Sequence, residues 1–248
     1  MKKFLYRLVD FYLSPLKRNP KLALFAKYRI LQHSEHLWAT VQMIYRNNTS
    51  PRGLILDVGA FNGGTTAFFA TTFPDSKVIG FEPNPVTFPQ AQKRCASFPS
   101  ITLIQTALDS QSGEFDFYVS DQNESSSLNP IVENPQFRLQ KKIKVQVKTM
   151  DECISEREPV LLIKFDTQGR ELNILSAGTR TLQQTRYVLT EMNINDYYEG
   201  GCKYYEVDDF LRNHQFKLVN ITSSYNFAGM SVFDALYENE KLRVGNRV

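Results

Sequence analysis

Residues Leu54–Gly64, LILDVGAFNGG, constrain this chain more than any other stretch. Leu54-Ile55-Leu56 is an apolar run of the kind that forms a strand buried on both faces. Asp57 closes it, and Gly59, Gly63 and Gly64 follow. Thr65-Thr66-Ala67-Phe68-Phe69-Ala70 then reads as the opening of a helix. Strand, glycine turn and helix, in that order, make a nucleotide site. Glycine lets the backbone approach a ligand, and the first N–H groups of the helix carry partial positive charge. The spacing Asp-x-Gly-x-x-x-Gly differs from the Gly-x-Gly-x-x-Gly of dinucleotide-binding folds.

From Leu54 onward the pattern alternates strand and helix, which predicts a mostly parallel sheet covered on both faces. The expected strands are Leu54–Val58, Lys77–Glu82, Ile101–Ala107, Val160–Asp166, Tyr187–Met192, Phe216–Ile221 and Ser231–Tyr237. Helices are expected over Thr65–Phe73, Pro85–Phe98, Arg170–Leu182 and Glu206–His214. Gly113–Val119 and Ile143–Thr149 alternate with period two and predict a small antiparallel addition. Only the short polar stretch Thr222–Gly229 separates the last two strands. It leaves no room for a helix, so the final strand must run antiparallel in a hairpin at the sheet edge. The fold class expected is α/β: a Rossmann-like, doubly wound, seven-stranded sheet with an antiparallel last strand.

The 52 residues before it, 1–52, read as a helical segment of their own, and residues 53–248 as the main domain. Three helices are expected there, with Ser34 as N-cap of the third. Nearly all the charges before Asp57 are basic, from Lys2 to Arg52, against Asp10 and Glu35 alone. This basic, amphipathic stretch reads either as a peripheral membrane contact or as a cap or dimerisation arm packed on protein. The net charge of +3 is too small to argue for nucleic acid. No stretch approaches the roughly 20 apolar residues of a membrane span. Cys95, Cys153 and Cys202 lack a CxxC spacing and read as reduced thiols, so the expected location is the cytoplasm, at most peripheral to a membrane. His33 and His36 have no third ligand nearby and are read as solvated helix residues, so no residue is assigned to a metal.

Two further stretches carry chemistry. Glu82 closes the second strand in Phe81-Glu82-Pro83-Asn84-Pro85. An acid there, a little over twenty residues past Gly59, can accept hydrogen bonds from ribose hydroxyls. Asp109, after Ala107-Leu108, is either a turn former or a contact to a base edge. In Ile163-Lys164-Phe165-Asp166-Thr167-Gln168-Gly169-Arg170-Glu171, Lys164 and Asp166 share one face of an apolar strand. Burying both costs several kcal/mol per ion (roughly) unless they are paired. They are either a buried ion pair or part of a site.

Taken together, these residues resemble the FkbM family of S-adenosylmethionine (SAM)-dependent methyltransferases. The resemblance rests on Asp57-Val58-Gly59-Ala60 with Gly63, Phe81-Glu82-Pro83-Asn84-Pro85, Ala107-Leu108, Ser125-Ser126-Ser127-Leu128 and Met150-Asp151. It continues through Lys164–Glu171, Leu175-x-x-Gly178, Glu191 and Asp234-Ala235-Leu236-Tyr237. It implies O-methylation of a hydroxyl on a sugar or a secondary metabolite. The implied cofactor contacts are Asp57, Gly59, Asn62, Gly63 and Thr65 in the glycine turn, then Glu82 and Pro83, then Ala107, Leu108 and Asp109. The implied catalytic residues are Asp166 and Glu191 as candidate bases, with Lys164 beside them. Tyr197, Tyr198, Tyr204 and Tyr205 are either an acceptor lining or packing residues. Asp151 is expected to cap the helix that follows it. A divalent metal is compatible with Asp166, Glu191 and Asp196, but no spacing supports one.

The chain departs from the family in two places: Phe61 stands where Asn is usual, and Gln168 where Glu is usual. Those departures keep a non-catalytic SAM-binding module in view as an alternative. An NAD-dependent oxidoreductase is the other, and the missing Gly-x-Gly-x-x-Gly counts against it. RNA methylation ranks low because the main domain lacks a basic, aromatic stripe.

Overall fold

The computed structural model describes residues 35–48, 50–132, 138–155, 158–227 and 230–243. The first two expected helices, the Ser34 cap and His33 lie outside these residues, as does the His36 side chain. The elements are α1 (Glu35–Asn47), β1 (Leu54–Val58), α2 (Gly64–Thr72), β2 (Lys77–Phe81), α3 (Phe88–Cys95), β3 (Ile101–Ile104) and β4 (Ala107–Leu108). They continue with β5 (Gly113–Ser120), β6 (Leu139–Lys148), α4 (Met150–Cys153), β7 (Val160–Phe165), α5 (Glu171–Ser176) and α6 (Thr179–Gln183). The chain closes with β8 (Thr185–Asn193), α7 (Tyr204–Asn213), β9 (Phe216–Phe227) and β10 (Met230–Asn239).

The main sheet has seven strands in the order β3-β2-β1-β7-β8-β10-β9. Pairings from β3 through β8 are parallel, while β10 is antiparallel to both β8 and β9. β1 and β7, at the centre, are buried along their whole length, as continuous apolar runs must be. One face packs Leu56, Val58, Ile163, Phe165 and Val188 against α5, α6 and α7. The other packs Ile55, Leu162 and Leu189 against Phe68, Phe69 and Phe73 of α2 and its C-terminal end. Leu37, Val41 and Ile44 of α1 belong to this second core, so the third expected N-terminal helix lies on the sheet. Among the described residues no helix is long and apolar enough to cross a membrane.

Most expected elements stand within a few residues of their bounds, but the expected connector Thr222–Gly229 is strand as far as Phe227, and two other elements differ in kind. The third strand stops at Ile104, and Ala107–Leu108 pairs with β6 in a separate three-stranded sheet, β4-β6-β5. Thr106 makes the transfer: its N–H donates to Ile104 O at 3.0 Å and its hydroxyl to Gln146 O at 2.9 Å. The expected helix Arg170–Leu182 is two helices broken at Ala177-Gly178. Asp151 accepts from the N–H groups of Arg180 (3.1 Å) and Thr181 (2.8 Å), so it caps α6. The helix that begins beside it, α4, has its own capping box from Thr149 and Glu152.

Gly59 is where the sheet centre and the turn meet. Its φ is +86°, and a Cβ there would sit 1.9 Å from the Asp166 carbonyl oxygen. Gly59→Ala is therefore expected to cost about 3 kcal/mol or more. At about 2–4 °C per kcal/mol for a chain this size, the melting temperature should fall by about 6–12 °C. An unchanged melting temperature would contradict this packing.

Candidate active site

A cavity of about 400 Å³ lies at the carboxyl ends of β1, β2, β7 and β8, where open α/β sheets bind ligands. Of the expected cofactor contacts, Gly59, Asn62, Thr65, Glu82, Pro83, Ala107 and Leu108 line it. Asp57, Gly63 and Asp109 are absent from its lining. Lys164, Asp166 and Glu191 all line it, as do Tyr197 and Tyr198. Tyr204 and Tyr205 do not, and stand exposed at the start of α7.

Asp57 lies in the core and accepts from the Thr66 hydroxyl at 2.6 Å, tying β1 to the first turn of α2. Its other oxygen has no protein partner. Burial pushes its carboxyl up to about 6, against the pull of Lys164 and Thr66. Phe61 takes the left-handed conformation, φ 49°, and its N–H donates to Glu82 Oε2 at 2.7 Å. Asparagine enters that region more easily than phenylalanine, which gives a physical reason for the residue the family favours there. Asn62, one place later, accepts from the Gly64 N–H at 3.2 Å and from Arg94.

Glu82 Oε1 accepts from the Asn84 N–H (2.9 Å) and the Thr87 hydroxyl (2.9 Å). With Phe61, three of a carboxylate's roughly four acceptor sites are taken. Burial nevertheless raises its pKa to about 7. Asp109 is held by Arg170, whose Nε and Nη2 donate to its two oxygens at 2.8 and 2.7 Å. It is a buried ion-pair partner that fixes Arg170 at the cavity wall.

At the end of β7, the buried Lys164 ammonium donates to Asp166 Oδ2 at 2.8 Å. Burial works against that ammonium, but Asp166, Asp57 and Asp234 outweigh it and its pKa is raised. The other Asp166 oxygen accepts from Gln168 Nε2 at 2.7 Å, and the same nitrogen lies 3.3 Å from Glu191 Oε2. The Tyr198 hydroxyl lies 2.6 Å from Gln168 Oε1 and 3.0 Å from Ser125 O. Burial, then Asp166, Asp234 and Glu171, push Glu191 well above the usual carboxylate range, while Lys164 pulls it down. Lys164 and Asp166 form an ion pair, and both line the cavity.

Residues that sequence reasoning left without a role build this turn. Glu171 is fully buried, and its Oε1 accepts from the Thr167 N–H and hydroxyl (both 2.9 Å) and from the Gly169 N–H (3.4 Å). The Ser127 hydroxyl donates to Gln168 O at 2.9 Å, and Asn129 Nδ2 to Gly169 O at 3.2 Å. Ser127 was visible as part of the Ser-Ser-Ser-Leu stretch. The polar loop that carries it braces the end of β7.

Asp57, Glu82 and Glu191 all have folded pKa values above their unfolded ones. The folded state therefore binds more protons, and stability present below about pH 4.5 is lost as pH rises through the folded values. Glu82 alone accounts for about 3 kcal/mol. The carboxylates with lowered pKa, Asp116, Asp121 and Glu152, act below that window. The cofactor-free melting temperature should fall between pH 5 and pH 8. A flat or rising profile would contradict the burial of these acids.

The FkbM methyltransferase domain profile matches residues 57–218 of this chain. The chain belongs to the FkbM methyltransferase family. Its relatives include the 2-O-methyltransferase NoeI of Sinorhizobium fredii, 29% identical over 174 residues, 65% of this chain and 72% of NoeI. Another is the hexuronic acid methyltransferase AglP of Haloferax volcanii, 29% identical over 145 residues, 56% of each chain. Among solved structures, magnesium protoporphyrin IX methyltransferase (ChlM) from Synechocystis with bound SAM has a TM-score of 0.49 and 9% identity, covering 94% of this chain and 96% of ChlM. Precorrin-6y C5,15-methyltransferase from Geobacter metallireducens has a TM-score of 0.46 and 10% identity, covering 86% and 91%. As an FkbM methyltransferase the chain uses SAM, and the dehydrogenase and non-catalytic readings fall away. The strand order with an antiparallel insertion, β8-β10-β9, is the expected sheet.

Proposed function

We propose that this FkbM methyltransferase O-methylates a hydroxyl of a sugar or glycan. The observation that carries the reading is the carboxyl pair Asp166 and Glu191, bridged by one amide in the same cavity as the glycine turn and Glu82. The names of two relatives support the acceptor class, one for 2-O-methylation and one for hexuronic acid.

The residues fit the cofactor. Glu82 lines the cavity with one acceptor site left and would hold one ribose hydroxyl directly. Pro83, Ala107, Leu108 and Phe117 offer an apolar wall for the adenine. Gly59, Asn62 and Thr65, where α2 begins, would hold the methionine end. When bound, SAM supplies an electrophilic methyl group on a sulfonium. Glu191 then accepts the acceptor's hydroxyl proton, its pKa raised by burial and by the neighbouring acids so that its anion is a stronger base than an ordinary carboxylate. Asp166, held by Lys164 and Gln168, keeps negative charge beside the reacting atoms. Tyr197 and Tyr198 wall the acceptor side and help exclude water. Among the described residues no cluster of His, Cys, Asp or Glu could hold a metal ion, and no step is assigned to one. The three free cysteines fit a reducing compartment, so we place the enzyme in the cytoplasm.

The test is production of S-adenosylhomocysteine from SAM with fractionated cell extract as acceptor source. Turnover should follow the carbohydrate fraction. Turnover that follows nucleic acid or protein would overturn the acceptor class.

A further inference from the structure

We propose that Gln168 is a positioning residue that binds the Asp166 and Glu191 carboxyl groups into one acid–base unit through its side-chain amide. The proposal rests on the reading of Glu191 as the proton acceptor.

Gln168 is held where few side chains sit. Its φ is 57°, a left-handed conformation that costs about 1 kcal/mol for a non-glycine residue. The neighbours over-determine it. Glu171 binds the N–H groups of Thr167 and Gly169 on either side, Ser127 binds its carbonyl, and the Cys202 N–H donates to Gly169 O at 3.0 Å. A strained backbone held from several directions fits a residue whose side chain must point one way.

The direction of the amide follows from its partners. Tyr198 is kept protonated by burial and by Glu191, Asp166 and Glu171, so its hydroxyl remains a donor. Asp166, paired with Lys164, accepts at 2.7 Å, which fixes the NH₂ group toward Asp166 and Glu191 and leaves Oε1 beside the Tyr198 hydroxyl, itself shared with Ser125 O. An amide suits this place. It donates to two carboxyl groups without adding a charge. A carboxylate at 168 would make a third acid, and an alkyl group would leave the pair without these donors.

The groups facing Glu191 come from every side. Lys164 and Asp166 stand on β7, Asp234 on β10, Glu171 at the start of α5, and Tyr197 and Tyr198 on the loop after β8. Three of them are acids that disfavour a Glu191 anion, and the cation, Lys164, is bonded to Asp166. The Gln168 donors therefore decide how far the Glu191 carboxyl can be drawn back toward ionisation at working pH.

The test is a carboxyl-carbon NMR titration of the full chain labelled with ¹³C at Glu side chains, in wild type, Gln168→Glu, Gln168→Leu and Tyr198→Phe. The Glu191 midpoint should rise by about one unit or more in both Gln168 variants. It should rise less in Tyr198→Phe, where the amide stays but loses its anchor. The pH midpoint of turnover should move with it. A Glu191 midpoint within about 0.3 unit of wild type in the folded variants would overturn the proposal. If the Gln168 variants do not fold, an unmoved midpoint in Tyr198→Phe overturns it alone. The titration needs no acceptor, so failure of the methyl-transfer reading, seen as absent turnover in wild type, is separable.

Discussion

Glu82→Ala is expected to weaken SAM binding about 100-fold, read by calorimetric titration, with the sheet intact. A hydrogen bond to a charged group contributes about 1.5–3 kcal/mol, and 1.4 kcal/mol is tenfold in affinity. Losing the ribose contact supplies most of that factor. The rest comes from the turn, because the same carboxylate holds the Phe61 N–H at 2.7 Å and the Asn84 N–H at 2.9 Å. Without it, the glycine turn and the exit from β2 are no longer tied to each other. The fold should survive, since the change also removes a buried carboxyl group whose ionisation burial disfavours. A dissociation constant within about threefold of wild type would show that the ribose lies elsewhere.

Glu191→Gln should lower turnover by about 10²–10⁴-fold, the usual range for loss of a general base. SAM affinity should change by less than about threefold, because the loss falls on the transition state rather than on cofactor binding. The pH dependence identifies the cause. Wild-type kcat/KM should rise with pH as Glu191 loses its proton, and the variant should lose that limb. Asp166→Asn should also reduce turnover more than SAM affinity, since it leaves the Lys164 ammonium without its 2.8 Å partner at the cavity. If Glu191→Gln turns over normally while Asp166→Asn does not, the two roles are exchanged.

The sheet was legible because its signals are local. Leu54–Val58 and Val160–Phe165 are apolar without interruption, and the short link between the last two strands forces them antiparallel. The site was legible as a set of positions: Glu82, Lys164, Asp166 and Glu191 all reach one cavity. Their bonding was not, because it depends on contacts distant in sequence. Asp109 reads as a turn or ligand residue, yet its partner Arg170 stands 61 positions away. Nothing near Asp151 announces that it caps α6, some thirty residues on. Nor does the sequence show how closely Gly178 packs, where a Cβ would come within 3.2 Å of Met150 Cβ on another helix. Gln168 reads as a lost carboxylate in sequence. In space its amide stands between two acids and is bonded to Tyr198.

The most direct measurement is the identity of the bond formed when methyl-labelled SAM is incubated with the enzyme and a carbohydrate acceptor fraction. The label should appear in a base-stable methyl ether on a sugar carbon, and Glu191→Gln should abolish it. Label recovered as a base-labile ester or on nitrogen would contradict methyl transfer to a hydroxyl, and label in unchanged amount with the variant would contradict Glu191 as its base.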